Sequence, residues 1–265
     1  MSGRLRPGAR LAIGTFTVVP VRPDPPTPGS AGAAMLLAPV VGLLLGAIAG
    51  MVLVAVRVVT DVRPSTPLLA AVLAVIALAL LTRALHLDGL ADTADGLGSM
   101  RPPAEAVAIM RRPDIGPFGV TALLLVLLAQ VAALTYATAA ELGTEALLVA
   151  TMTGRLAVTL SCTPATPAAA ETGLGRMVAG TVRRRDAIVV MVVVLGLAGF
   201  IGVVGDGGRD VGSGLRCIVA AGSGLVAAQV LRWHAVRRLG GVTGDVLGAL
   251  VEVTTTVVLV AMAVA

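Results

Sequence analysis

Seven stretches of this chain approach or exceed the roughly 20 apolar residues that a helix needs to cross a bilayer. They lie near 33–56, 66–85, 118–140, 145–163, 187–205, 215–232 and 246–264. Within hydrocarbon a backbone has no water to bond to, so each stretch must satisfy its own N–H and C=O groups as a helix. The expected fold is therefore all-α: a polytopic membrane bundle of about seven helices, with residues 1–265 forming one integral-membrane domain. The fourth and sixth stretches are the least regular, because Arg155 interrupts one and glycines dilute the other. Only 13 % of residues are charged, against about 25 % in a soluble domain. Gly42–Gly46–Gly50 and Gly240–Gly244–Gly248 each place a small residue every four positions, a spacing that lets helix backbones approach closely.

The basic residues are 20 arginines and no lysine. Fifteen fall in the N-terminal tail (Arg4, Arg6, Arg10, Arg22) and in the loops after the second, fourth and sixth stretches. The alternate loops hold four: Arg57, Arg63, Arg209 and Arg216. Arginine-rich loops stay on the cytoplasmic side, which predicts an N-terminus inside and a C-terminus outside. Membrane topology thus accounts for the net charge of +5 without a nucleic-acid partner. Cys162 and Cys217 make neither a disulfide framework nor a zinc site, and are expected to pack. No cleavable signal peptide is expected, because the first long apolar run is of full span length.

Residues 83–99, RALHLDGLADTADGLGS, break the apolar pattern. On a helix Asp88, Asp92 and Asp95 sit at i, i+4 and i+7, on one stripe. Three carboxylates on one stripe repel unless they are solvated or bound to a cation, and hard cations such as Mg²⁺ take oxygen ligands. Leu87, Leu90, Ala91, Ala94 and Leu97 give the segment an apolar face that a solvated loop would not need. A metal site is the favoured reading over a transport path. His86 would point about 160° away from Asp88 on an unbroken helix, which excludes it from the same ion and leaves packing or substrate contact open.

Farther on, IMRRPDIGPFG (109–119) carries Arg111 and Arg112 before a Pro/Gly turn; guanidinium forks suit phosphate, and arginines beside a membrane also orient spans. Arg155 lies inside an apolar segment, where charge is costly unless paired or facing a cavity. Asp245 and Glu252, seven apart on one face, place a carboxylate at a helix start and another roughly 10 Å deeper. Arg155 and Glu252 are expected to floor a polar cavity roofed by the aspartate stripe. Capping by Asp245 or Thr243 competes with a catalytic role for Asp245. The loop AAAETGLGRMVAG holds Glu171 and Gly173, and its glycines could bring amides to phosphate without matching a phosphate-loop signature.

HLDGLADTADGL, the turn RPDIGPFG, ETGLG and TGDVLGA, in this order, together resemble the cobalamin synthase family, the adenosylcobinamide-GDP ribazoletransferases. LAIGTFTVVPVRP at 11–23 is similar to that family's entry segment. The resemblance implies a multi-pass enzyme of the cell membrane that joins adenosylcobinamide-GDP to α-ribazole, or its 5′-phosphate, with Mg²⁺ and release of GMP. It implies Asp88, Asp92 and Asp95 as metal ligands. Arg155, Arg111, Glu171 and Gly173 would contact substrate phosphate, and Asp245, Glu252 and His86 would serve catalysis. One departure stands out: where the family has Lys-Asp-Ser-Arg-Ile-Gly this chain has Arg111-Arg112-Pro113-Asp114-Ile115-Gly116, so no role carries over to Arg112 or Asp114. A homo-oligomer is compatible with the sequence and not specified by it.

Two rivals fit less well. A CDP-alcohol phosphatidyltransferase needs Asp-Gly-x-x-Ala-Arg and two later aspartates; here Asp88–Gly89 leads into Ala91–Asp92 with no arginine. A cation-coupled transporter would favour inverted repeats, and none is visible.

Overall fold

A computed structural model describes residues 2–22, 25–60, 63, 66–208 and 210–264, with side chains from residue 5 onward; Arg209 and Pro23 of the sequence argument, and the side chain of Arg4, lie outside them. The described residues form eleven helices: α1 Ser2–Phe16, α2 Pro28–Val59, α3 Thr66–Leu81, α4 Leu85–Gly98, α5 Pro103–Ile109, α6 Pro117–Ala139, α7 Gly143–Ser161, α8 Leu174–Val178, α9 Arg184–Gly205, α10 Val211–Leu239 and α11 Gly244–Val264. Each of the seven apolar stretches falls largely on one helix. Five of these, α2, α6, α9, α10 and α11, are long and apolar enough to cross a membrane, and α3 with α4 makes a sixth if that bent pair counts as one span.

Small residues set the packing. Gly42, Gly46 and Gly50 of α2 lie against Thr151–Arg155, Leu147–Thr151 and Thr144 in turn, so α2 and α7 run antiparallel with their backbones in contact. The first glycine ladder is therefore a packing device. The second is not one ladder: Gly240 is the left-handed cap of α10 (φ 84°), while Gly244 and Gly248 belong to α11. Gly199 and Gly202 of α9 meet Gly214–Ile218 and Ser213–Cys217 of α10, and Gly224 of α10 meets Thr254 and Val258 of α11. Both cysteines are buried and free, as packing residues would be.

At the centre is α7, with 15 of its 19 residues buried and α2, α6, α9, α10 and α11 around it. That position explains its weak apolar signal. A helix walled by protein on all sides tolerates Arg155 and four threonines that lipid would not.

The second stretch departs most from expectation. Helix α3 ends at Leu81, and the chain turns by 87° into α4 through Arg83 and Ala84, both left-handed at φ 54°. Neither is glycine, so the turn costs about 1–2 kcal/mol per residue in local strain. It is held by Val18 N–H on the Leu81 carbonyl (2.6 Å) and Ala84 N–H on the Ala79 carbonyl (2.7 Å). The result is that α4 lies across the first turns of α6 and α11 instead of continuing through the bundle. The segments 17–22, 25–27, 82–116, 162–183 and 240–243 gather at this same end. At the other end Arg57 of α2 pairs with Glu141, after α6, through 2.5 and 2.7 Å bonds, and the guanidinium holds the Glu141 carboxyl below the usual carboxylate range.

Candidate active site

Helix α4 touches α11 where neither has a side chain. A Cβ on Gly89 would fall 2.7 Å from the Asp245 carbonyl oxygen, and one on Gly248 3.2 Å from the His86 Cα. Because α4 runs unbroken through Gly89, His86 faces inward and is 3 % exposed, while Asp88 is exposed on the opposite side. The crossing brings Asp245 to the stripe. Burial, then the like charges of Asp88, Asp245 and Asp95, push Asp92 up to about 7. Hard oxygen donors that repel one another at a half-buried crossing suit a divalent cation. Among the described residues they are not drawn into a closed ligand set of three.

Asp95 is engaged differently. Its Oδ2 accepts the Gly116 amide at 2.7 Å and its Oδ1 the Gly119 amide at 2.9 Å, so this buried carboxylate clamps the N-terminus of α6. Gly119 allows the approach, since a Cβ there would lie 2.5 Å from Asp95 Oδ2. Capping of α11 falls to Thr243, whose hydroxyl accepts the Val246 amide at 3.1 Å and donates to Asp245 Oδ2 at 3.3 Å. Asp245 is thereby released from the capping role and held toward the stripe.

Beside the crossing opens a cavity of about 310 Å³. Its buried wall is Phe16, Met35, His86, Val107, Met110, Val158 and Leu247. Its rim is Arg111, Thr172, Gly173, Arg176 and Asp245. The connection 162–183 reaches the rim because Val242 N–H bonds the Pro167 carbonyl (2.9 Å) and Ala169 N–H bonds the Val242 carbonyl (3.0 Å). Gly175 is pressed against Val242 and Thr243. Gly173 lines the cavity at φ 90°; Glu171 is exposed beside it and does not line it. A second cleft of about 190 Å³ joins Asp92 and Asp95 to Arg112 and Asp114, the two residues left without a role by the altered motif.

Arg155 and Glu252 stand behind this site. They share a void of about 20 Å³ with Gln130 and Thr82, roofed by Leu87 and not by the aspartates. No direct ion pair joins them; Gln130 donates to Glu252 at 2.8 Å, and Arg155 Nη2 lies 3.5 Å from His86 Nδ1. Arg155 thus reaches the large cavity only through His86. The His86 ring stacks on Phe16 (centroids 6.0 Å apart, 22° between planes), and burial, then the Arg155 charge, hold its pKa well below 6.5, leaving it neutral. Phe16, Gln130 and the capping Thr243 are the contributors that sequence reasoning undervalued. A lone amide in the apolar α6 was the available signal for Gln130; nothing local marked Phe16.

A family model described as Cobalamin-5-phosphate synthase matches residues 8–263. An adenosylcobinamide-GDP ribazoletransferase of Frankia casuarinae is 46 % identical over 260 residues, covering 96 % of this chain and 94 % of the relative. Relatives of the same name from Nocardioides sp. (40 %, covering 98 % and 99 %) and Stutzerimonas stutzeri (36 %, covering 96 % of each) align almost end to end. No solved structure matches the chain. The family match at residues 8–263 spans the residues that form the carboxylate crossing and line the cavity beside it, and the chain belongs to the Cobalamin-5-phosphate synthase family of membrane transferases.

Proposed function

We propose that this protein transfers the cobinamide phosphoryl group of adenosylcobinamide-GDP to a hydroxyl of ribazole or its 5′-phosphate, releasing GMP, at the cytoplasmic face of the cell membrane. The observation that carries the reading is the meeting of Asp88 and Asp92 with Asp245, which stands at the rim of a cavity that also presents Arg111 and Arg176. In the reaction a ribose oxygen forms a bond to the cobinamide-side phosphorus as the bond to the GMP oxygen breaks, and the hydroxyl proton must leave. Asp245, half-buried at the cavity mouth, accepts that proton. Arg111 and Arg176 neutralise phosphate oxygens, since catalysis of this kind is largely positioning and electrostatics. Asp88 and Asp92 would hold Mg²⁺, with Asp95 steadying the stripe from the α6 side; the ion would screen diphosphate charge and stabilise the leaving GMP. Arg155, with Glu252 beside it, meets His86 Nδ1 from behind. The gathering of arginine-rich connections at the site end supports its cytoplasmic placement.

The test is GMP release by the purified protein in lipid nanodiscs. Adenosylcobinamide-GDP, α-ribazole and Mg²⁺ together should yield GMP and a corrinoid carrying the base. Equal GMP release without acceptor would reveal a hydrolase and overturn the proposal.

A further inference from the structure

We infer that the 310 Å³ cavity seats the base of the nucleoside acceptor, and that His86 is its specificity-determining contact, donating Nε2–H to the base's free ring nitrogen. The inference rests on the proposed reaction and assigns one of its nucleosides to a place. Guanidinium nitrogens donate and do not accept, so Arg155 Nη2 at 3.5 Å faces a bare His86 Nδ1. The imidazole hydrogen then sits on Nε2. That atom is buried and has no hydrogen-bond partner in the protein. His86 lines the cavity, and a buried donor without a partner calls for an acceptor from whatever fills it.

The rest of the wall decides which base that is. His86 is the one polar side chain among the lining residues that is fully buried; around it are Phe16, Met35, Val107, Met110 and Leu247. The reaction offers three flat bases: guanine, the adenine of the adenosyl group and the base of ribazole; adenine, like guanine, carries several polar edge groups that this wall would leave unpaired. Guanine carries several donors and acceptors along its edge, and this hydrocarbon wall would leave most of them unpaired, which opposes binding. The dimethylbenzimidazole of ribazole, joined to ribose through one nitrogen, carries a single ring-nitrogen acceptor on a hydrocarbon frame. One donor among apolar side chains matches it group for group. With the base inside, its ribose emerges at the rim, beside Asp245, Arg111 and Arg176.

The experiment is calorimetric binding to the full chain in nanodiscs, without donor, of α-ribazole and of its analogue with the free ring nitrogen replaced by C–H. Wild type should bind the analogue about 10- to 100-fold more weakly. His86→Leu should bind both alike, and His86→Gln, which keeps an N–H near the Nε2 position, should restore much of the discrimination. GDP binding should be unchanged in both variants. If wild type binds parent and analogue within about twofold of each other, the assignment is wrong, and this comparison needs no variant to fold. Loss of GDP affinity in His86→Leu would instead place guanine in the cavity and overturn the inference. GMP release is read separately: turnover without discrimination refutes the base assignment alone, and discrimination without turnover refutes the reaction alone.

Discussion

Replacing Asp95 separates a structural clamp from a metal ligand. Both carboxylate oxygens are bonded to backbone amides, Gly116 at 2.7 Å and the buried Gly119 at 2.9 Å. In Asp95→Ala the Gly119 amide has no water to replace its partner. Hydrogen bonds to a charged group contribute about 1.5–3 kcal/mol each, so the pair is worth roughly 3–6 kcal/mol, including the favourable charge at the start of α6. At about 2–4 °C per kcal/mol for a chain of this size, melting should fall by roughly 6–24 °C. Asp95→Asn keeps one acceptor oxygen and should lose about half as much. Asp88→Ala, at an exposed position, should change Tm by no more than about 2 °C. The assay is thermal unfolding in nanodiscs after metal removal, repeated with Mg²⁺ added. If Asp95→Ala melts like wild type without metal and differs only in its response to Mg²⁺, the clamp argument fails and Asp95 is foremost a ligand.

Four further outcomes are expected. Asp92→Asn should fold and slow GMP release on the order of 1,000-fold, equivalent to about 4 kcal/mol of transition-state stabilisation, and near-normal Mg²⁺-dependent turnover would refute its role. The same variant reads a pH effect: with Asp92 at about 7 in the fold against 3.8 ordinarily, the folded protein binds this proton more tightly than the unfolded chain. Metal-free wild type should therefore gain stability relative to Asp92→Asn as pH falls from above 7 toward 4, and a flat difference across that window would contradict it. Gly89→Ala drives a Cβ into the Asp245 backbone at 2.7–2.9 Å, so the crossing must open; activity should drop about 100-fold with the protein still inserted, and unchanged kcat would show that the crossing does not set the site. Single cysteines at positions 100 and 140 should label from opposite faces of the membrane, and labelling from the same face would refute the arginine-based orientation.

Much of this protein could be read from residue types alone, because a bilayer leaves a chain few options. The apolar runs had to be helices, the alternating arginines favoured one orientation, and the i, i+4, i+7 aspartates announced an electrostatic problem that only chemistry would justify. Even the separation of His86 from Asp88 followed from helical geometry, since α4 is continuous. What the sequence left open were questions about partners distant in the chain. Arg83 and Ala84 carry no glycine or proline signal, so the 87° bend that lays α4 across the bundle is imposed by packing and by bonds such as Val18 to Leu81. Asp95 reads as a third ligand until Gly116 and Gly119 meet it, and the choice between Asp245 and Thr243 as the cap of α11 stays open until Thr243 takes that part. Arg155 and Glu252 lie at matched depth, as helix rise requires, yet they face a small void behind His86 and not the main cavity. Periodicity fixes which face of its own helix a residue occupies; which neighbour meets that face depends on how close the backbones come, and here glycines at 89, 119 and 248 decide it.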